Sequence, residues 1–228
     1  MRAWRGDPVI ARAAPFLLFI AFLMLGSALP GVIAVLGLDL PTSWLVVARN
    51  AVVGLVLLWF WRGYTELRRP APARPADWVL GVAVGIAVFF AWIAIDQDWA
   101  VLSRPAGYRP LLAEGGVDWV QALARLAGFA LVVPVMEELF WRSLVLRWIE
   151  RHDFQSLAPR EVGWRAFAIT TALFALEHDR WFAGALAGAA YNWLYMRSGN
   201  LWVPIVAHAV TNGVLGLWVL QTGRWEFW

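Results

Sequence analysis

Long apolar stretches alternate with short polar ones along the 228 residues of this chain. A helix rises about 1.5 Å per residue, so roughly 20 apolar residues cross a bilayer core about 30 Å thick. Apolar stretches of suitable length predict seven membrane spans, at 13–38, 44–61, 78–95, 119–149, 164–177, 181–196 and 201–220. An eighth span is expected if the long fourth stretch breaks at Pro134, because proline removes a helical hydrogen bond.

The composition supports a membrane protein and excludes several other classes. Hydrophobic residues make up 61% of the chain and charged residues 15%, whereas soluble domains carry roughly 45–50% apolar and about 25% charged residues. The lack of cysteine excludes a disulfide scaffold, and the apolar content excludes a disordered chain or a nucleic-acid partner. The sequence therefore predicts an all-α fold, a polytopic transmembrane helix bundle of about seven to eight helices. We expect a single integral membrane domain, 1–228, in contact with the lipid bilayer.

The distribution of arginine predicts the orientation of the chain in the membrane. All 19 basic residues are arginine. Eleven of them cluster before the first span, between the second and third spans, and after the fourth, at Arg2, Arg5, Arg12, Arg62, Arg68, Arg69, Arg74, Arg147, Arg151, Arg160 and Arg165. The loop around Asp39 has no basic residue, and the loop from Asp96 to Asp118 is mainly acidic. Since basic residues are enriched in cytoplasmic loops, we expect a multi-pass protein of the cell inner (cytoplasmic) membrane with a cytoplasmic N-terminus.

Two adjacent glutamates lie inside the fourth predicted span, where ionisable side chains are costly and usually mark a functional site. Neighbouring residues on a helix point about 100° apart, so Glu137 and Glu138 serve different purposes. Glu138 and Arg142 are spaced to pair on one helical face. Glu137 is then left on its own face, as a candidate general base. The alternative is a structural salt bridge beside a carboxylate that reaches toward the membrane surface.

Polar residues also lie in the later spans. His178 ends the fifth predicted span, and His208 and Asn212 share one face of the seventh. Taken singly, His178 can be an interfacial histidine, and the other two can be hydrogen-bonding contacts between helices. Together with the glutamate pair they indicate one buried polar cluster.

The residue types in this cluster favour hydrolysis by activated water. The chain has no cysteine, no G-x-S-x-G motif and no H-E-x-x-H motif, which disfavours a serine or cysteine nucleophile and a standard zinc-protease helix. Glu137 can take a proton from water while the Asn212 amide and one histidine donate hydrogen bonds to an oxyanion. The other histidine can position the water or protonate the leaving amine. The same glutamate and two histidines can also hold zinc, and the spacing does not separate these two mechanisms.

Three motifs in this order resemble the CPBP family of intramembrane proteases, which includes type II CAAX prenyl endopeptidases and bacteriocin-processing proteins. They are Glu137-Glu138-x-x-x-Arg142, Phe174-x-x-x-His178 and His208-x-x-x-Asn212, and the stretch 195–204 resembles the lead-in to the family's last motif. The resemblance covers about 132–213. It implies an intramembrane peptidase, of glutamic rather than metal-dependent type, acting on a membrane-associated protein or peptide substrate without a cofactor, with zinc as the open alternative.

The resemblance also implies roles for individual residues. Glu137 and His178 correspond to the pair that activates water, and His208 and Asn212 complete the site, with the asparagine at the oxyanion. Glu138 and Arg142 would be supporting residues. Asp179 departs from the family pattern, in which a small residue commonly follows the histidine. Segments of the N-terminal half, Pro15-Phe16 and Tyr64-Thr65-Glu66-Leu67, resemble bacterial members associated with exosortase-type protein sorting.

Two other function classes fit the same residues. A non-catalytic membrane binding or immunity-type protein would keep the polar cluster for packing or for recognition of a partner. A transporter would use the buried groups as a proton pathway, although the chain shows no inverted repeat.

Overall fold

The computed structural model describes residues 6–36 and 44–228, with the side chains of 30–34 left out. Over these ranges the chain forms eight helices: α1 (Pro8–Val35), α2 (Leu45–Phe60), α3 (Thr65–Arg68), α4 (Pro75–Ala94), α5 (Trp119–Glu150), α6 (Trp164–Leu176), α7 (Trp181–Ser198) and α8 (Trp202–Thr222). Helices α1, α2, α4, α5 and α8 are long and apolar enough to cross a membrane. The predicted all-α transmembrane bundle is confirmed.

Helix α5 does not break at Pro134, so the additional span expected from a break there is not formed. Two π-helical stretches, Gly128–Val132 and Glu138–Val145, lie within the continuous helical run. Proline lacks the amide hydrogen and its ring clashes with the preceding turn of a regular α-helix. Pro134 follows the first stretch after one intervening residue, Val133, so the turn before it is one in which the hydrogen bonds span one residue more than in an α-helix. The wider turn accommodates the ring and the helix continues.

Part of the orientation prediction falls on residues that the structure does not describe. Arg2 and Arg5, before α1, and the loop around Asp39, between α1 and α2, lie outside the described ranges. Arg12 is described and is fully buried.

Helices α4 and α8 approach each other closely through glycine. A Cβ added at Gly85 would lie 2.3 Å from the carbonyl oxygen of Ala207, and one at Gly81 would lie 3.2 Å from that of Val203. The Thr211 hydroxyl donates a 2.8 Å hydrogen bond to the Gly85 carbonyl. Small residues allow such close packing between membrane helices, where lipid offers no hydrophobic driving force for association.

Helices α6 and α7 also approach each other closely at glycine residues. A Cβ at Gly188 would meet the Phe174 ring at 3.2 Å, and a Cβ at Gly184 would meet the Cβ of His178 at 3.3 Å. The two glycines stand four residues apart, one turn along the same face of α7. This packing brings the turn that carries His178 against the bundle.

A buried polar network joins α1, α3 and α5. Arg12 donates hydrogen bonds to Glu66 and to the Ser143 hydroxyl, at 2.9 and 2.8 Å from its Nε. Arg147 adds a 2.9 Å bond to the same hydroxyl. Burial alone would raise the pKa of Glu66, but the hydrogen bonds and charge of Arg12 outweigh it and hold that pKa below its usual value. The network therefore keeps an ionised carboxylate between the N-terminal helix and α5.

Replacing Gly85 with alanine should destabilise the protein by about 1–3 kcal/mol, because the new methyl group forces two backbones apart. Thermal unfolding of purified Gly85→Ala in detergent, compared with wild type, measures the effect. Gly54→Ala on α2 is the matched control, since its Cβ would meet its nearest neighbour at 3.9 Å, which is ordinary contact. Equal stability of the two variants would contradict the close α4–α8 contact.

Candidate active site

Glu137 and Glu138 are both withdrawn from solvent. Glu137 is 5% exposed and Glu138 is fully buried. The π-helical stretch begins at Glu138, directly after Glu137, so the two carboxylates leave the helix in different directions. Glu138 makes the contacts to its own helix and to α8. Glu137 Oε2 has no hydrogen-bond partner among the described residues.

Glu138 forms the centre of a buried ion pair. Arg142 Nη1 donates to Glu138 Oε1 at 3.1 Å, and neither side chain is exposed. The other end of the guanidinium donates to the Gly188 carbonyl at 3.3 Å. The guanidinium lies 4.4 Å from the Phe174 ring and 5.3 Å from the Tyr191 ring. These hydrogen bonds and ring faces compensate part of the buried charge, since Arg142 Nε and Glu138 Oε2 have no hydrogen-bond partner among the described residues.

His208, on α8, connects the ion pair to Glu137. Its Nδ1 donates to Glu138 Oε1 at 2.9 Å, which fixes the ring orientation. Its Nε2 lies 4.0 Å from Glu137 Oε2. The ring stacks on Tyr191 with centroids 5.0 Å apart, and the Tyr191 hydroxyl is hydrogen-bonded to that of Thr211 at 2.7 Å. The separation from Glu137 exceeds a direct hydrogen bond and leaves room for one bridging water.

His178 and Asn212 are held by backbone carbonyls. His178, in the turn after α6, donates from Nδ1 to the Phe174 carbonyl at 2.7 Å. The edge of its ring meets Trp92 with centroids 5.4 Å apart. Asn212 donates from Nδ2 to the Phe129 carbonyl at 2.8 Å. Each side chain therefore keeps a defined orientation with one nitrogen or one amide hydrogen still free.

One cavity of about 140 Å³ unites the four residues that the sequence singles out as candidate catalytic groups. Glu137, His178, His208 and Asn212 all line it. The remaining wall is mainly aromatic and aliphatic, and includes Val88, Trp92, Phe129, Phe174, Tyr191, Leu215, Phe227 and Trp228. Glu138 and Arg142 lie behind the wall. The space suits an extended peptide segment or a few waters beside four polar groups in an apolar surround.

Several residues around the cavity do not stand out in the sequence. Tyr191 lies one turn from Gly188 on α7, and this register is the only sequence signal for its stacking on His208. Phe227 and Trp228 reach the cavity from beyond α8. Glu177 accepts a 2.9 Å hydrogen bond from the indole of Trp141.

A polar cap covers the turn that carries His178. Within the cap, Arg180 and Arg104 pair with Asp96, the latter at 2.6 Å. The Ser103 hydroxyl bonds to the Asp179 carboxylate, and the Leu102 amide donates to the Asp179 carbonyl at 2.6 Å. Asp179 therefore anchors the loop after α4 to the turn after α6.

The cap borders a second cavity of about 210 Å³, which shares Trp92, His178, Phe227 and Trp228 with the first. Its other walls include Ser103, Glu177 and Arg180. This second, polar cavity thus lies beside the candidate site, on the side of the cap, and offers a path for water.

The charge of the cap depends on Asp96. Burial alone would raise the pKa of Asp96, but hydrogen bonds from Arg180 and Arg104 hold it below its usual value. At neutral pH the carboxylate is therefore ionised and holds both arginines.

Among the residues that the structure describes, no group of three or more His, Cys, Asp or Glu side chains is gathered as a metal site. The chemical types of Glu137, His178 and His208 are nevertheless those that Zn²⁺ accepts.

Comparison with protein families identifies the segment that holds most of this site. Residues 119–214 match the family described as Type II CAAX prenyl endopeptidase Rce1-like. The predicted resemblance to this protease family is confirmed for that segment, which contains Glu137, His178, His208 and Asn212. No curated protein and no solved structure matches the chain. The match covers 96 of the 228 residues, which is less than half of the chain.

Replacing Arg142 with glutamine should destabilise the protein by about 3–5 kcal/mol, because it leaves the buried Glu138 without its counter-charge. Unfolding of the purified variant in detergent measures this loss. Arg165→Gln removes the same charge from an exposed position on α6 and should change stability little. A variant at Arg142 as stable as wild type would mean that the ion pair contributes nothing to the fold.

The cap should weaken in acid. Because folding lowers the pKa of Asp96, its ion pairs stabilise the protein above the usual aspartate pKa of about 4 and are lost as the pH falls through the lowered value. We expect Asp96→Asn to melt below wild type at neutral pH, and the two melting curves to converge at low pH. The control is Asp153→Asn, at an exposed aspartate outside the cap. A difference from wild type that persists at low pH would rule out the charge of Asp96 as its cause.

Proposed function

Because residues 119–214 carry an Rce1-like type II CAAX prenyl endopeptidase domain, we propose that this protein is an intramembrane endopeptidase. It hydrolyses peptide bonds of membrane-associated protein substrates with water activated by Glu137. The observation that carries the proposal is the placement of the Glu137 carboxylate. One of its oxygens is buried without a hydrogen bond to any described residue and lies 4.0 Å from His208 Nε2, on the wall of a cavity that His178 and Asn212 also line.

The first step is the activation of water. Glu137 takes a proton from a water held between its carboxylate and a histidine, and the resulting hydroxide attacks the carbonyl carbon of the scissile peptide. The apolar cavity wall favours this transfer, because it keeps bulk water away from the carboxylate and from the water that it holds. The two histidines position the water and carry the proton to the leaving amine as the carbon–nitrogen bond breaks.

The second requirement is a donor for the oxyanion that forms on attack. The amide of Asn212 has two N–H groups, of which one is bonded to the Phe129 carbonyl. The other remains for the substrate oxygen. A donor already fixed in place before the reaction avoids the cost of reorganisation, and its loss typically lowers the rate by about 10²–10³-fold.

Glu138 and Arg142 act as supporting residues in this scheme. Glu138 fixes the His208 ring through Nδ1, and Arg142 holds Glu138 in place. The bond at Nδ1 leaves Nε2 as the nitrogen that faces Glu137. Neither supporting residue lines the cavity, so neither needs to touch the substrate.

We further propose that the protein lies in the inner (cytoplasmic) membrane with its N-terminus in the cytoplasm. The arginines of the segment between α2 and α4, such as Arg62 and Arg68, support this orientation through the bias of basic residues toward the cytoplasm. The polar cap then lies at the opposite face.

The proposal is tested by comparing cleavage by wild type and Glu137→Gln in detergent, each with and without a strong chelator. The probes are two membrane-anchored peptides of one sequence, with and without a farnesylated C-terminal motif. We expect Glu137→Gln to lose on the order of 10²–10⁴-fold in rate, because the amide cannot accept the proton from water. Activity of the wild type should survive the chelator. Loss of wild-type activity with the chelator would instead assign a zinc-dependent mechanism.

Glu150→Gln is the matched control, since Glu150 is an exposed glutamate at the end of the same helix and its change should leave the rate unaltered. Unfolding of each variant shows that the fold is retained. Cleavage by Glu137→Gln at the wild-type rate would overturn the proposal. No cleavage of either probe by wild type, with a cellular phenotype that Glu137→Gln retains, would favour the non-catalytic binding or immunity-type protein.

A further inference from the structure

Away from the candidate active site, two arginines lie inside the bundle without a counter-charge from any residue that the structure describes. Arg49, on α2, is 9% exposed, and Arg125, on α5, is partly buried. Neither forms an ion pair or donates a hydrogen bond to any residue within the described ranges, and both Nε atoms are buried without a partner. Charges held this way inside a membrane protein are costly unless something compensates them.

Aromatic rings provide part of that compensation but leave the charge in place. The Arg49 guanidinium lies 4.3 Å from the Phe19 ring centroid. The Arg125 guanidinium lies 5.0 Å from Tyr108 and 5.4 Å from Trp228. A ring face contributes about 0.5–2 kcal/mol and carries no net charge. The two arginines also repel each other, since both line one cavity of about 240 Å³.

Asn50, the residue after Arg49, does not line this cavity but packs against Gly128 of α5. Asn50 is 7% exposed, and neither its Oδ1 nor its Nδ2 has a hydrogen-bond partner among the described residues. A Cβ added at Gly128 would lie 1.9 Å from Asn50 Nδ2. Only glycine at this position of α5 therefore leaves room for the Asn50 side chain. Buried polar groups without partners are rare and often mark an ion or ligand site.

The walls of the cavity show what kind of anion would fit. Apart from the two arginines, its lining is apolar and comes from α1 and α2: Phe22, Leu23, Gly26, Leu45 and Val46. Leu23 is 45% exposed on the outer surface of the bundle, where lipid chains lie. The site therefore combines two cationic groups with an apolar surface that is open toward the bilayer.

The depth of the site agrees with this chemistry. Arg49 and Arg125 lie four and six residues after the starts of their helices, or about 6 and 9 Å along the axis. Trp44 precedes α2, and Trp119 is the first residue of α5. Both side chains are exposed, as expected for tryptophans at the membrane surface. The two guanidinium groups thus lie just below the interface, within reach of a lipid headgroup.

We propose that Arg49 and Arg125 bind the phosphate of an anionic phospholipid, with an acyl chain against Leu23 and Val46. Arginine is well suited to phosphate because its planar guanidinium donates two parallel hydrogen bonds. The phosphate diester of one such lipid carries a single negative charge, which both guanidinium groups would share and which would offset one of the two positive charges that the described residues leave uncompensated. This site is separate from the proposed catalytic cavity, and none of its residues takes part in the proposed reaction.

The test measures thermal unfolding of the full chain in nanodiscs of phosphatidylcholine with increasing fractions of phosphatidylglycerol. We expect phosphatidylglycerol to raise the melting temperature of wild type. Arg49→Gln and Arg125→Gln should each weaken the apparent affinity for it about tenfold, the loss expected for one charge-assisted hydrogen bond. Arg62→Gln, at an exposed arginine outside the cavity, should respond as wild type does.

A variant that blocks the site sterically distinguishes the loss of lipid binding from a general loss of stability. Gly26 lines the cavity, and a Cβ placed on it would meet nothing within 4 Å, so Gly26→Leu should fold and fill the site while both arginines remain. We expect it to lose the response to phosphatidylglycerol. An equal response in Gly26→Leu, Arg49→Gln and Arg62→Gln would assign the effect to general surface charge and overturn the proposal. If inorganic phosphate in pure phosphatidylcholine raised the melting temperature equally, the site would be one for free anions, and the proposal that its ligand is a phospholipid would be overturned.

Discussion

The buried ion pair between Glu138 and Arg142 is the interaction on which the candidate site depends. Through it α5 reaches the Gly188 carbonyl on α7 and His208 on α8. Water is excluded from both side chains, so each charge is tolerated only while its partners stay in place. The pair therefore fixes the arrangement of three helices. The neighbouring Glu137 is left as the carboxylate that faces the cavity.

Close packing through glycine determines where the walls of that cavity stand. Gly85 lets α8 approach α4, and Gly188 lets α7 approach α6. Larger residues at these positions would separate the helices and move His208 and His178 apart. The polar groups of the site are thus positioned by glycines, which have no side chain that could take part in a reaction.

The sequence predicts the helices well because the bilayer leaves few alternatives. A run of apolar residues as long as α4 or α8 has to satisfy its backbone internally, so it forms a helix of nearly the predicted length. Spacing along one helix also predicts local pairs, as for Glu138 and Arg142. The gathering of Glu137 and His208 around one cavity follows from the same expectation that buried polar groups find each other.

Contacts between segments that are distant in the chain leave no local pattern in the sequence. His178 reaches the cavity because the turn after α6 is held by Asp179 and the loop after α4, and no local pattern encodes that contact. The unbroken helix at Pro134 depends on a π-helical stretch that composition does not reveal. The burial of Arg49 and Arg125 beside each other likewise becomes visible only when α2 and α5 are placed together.

The unequal strength of the helix contacts bears on how a substrate could reach the cavity from the bilayer. The α4–α8 pair is held by contact between backbones, and the α6–α7 pair by Gly184 and Gly188, which pack against His178 and Phe174. Across the cavity, Trp92 of α4 meets His178 by the edge of a ring, a contact that a side-chain rotation can break. Rotation of the Trp92 ring alone would widen the cavity at this seam while both glycine contacts and the buried ion pair stay in place.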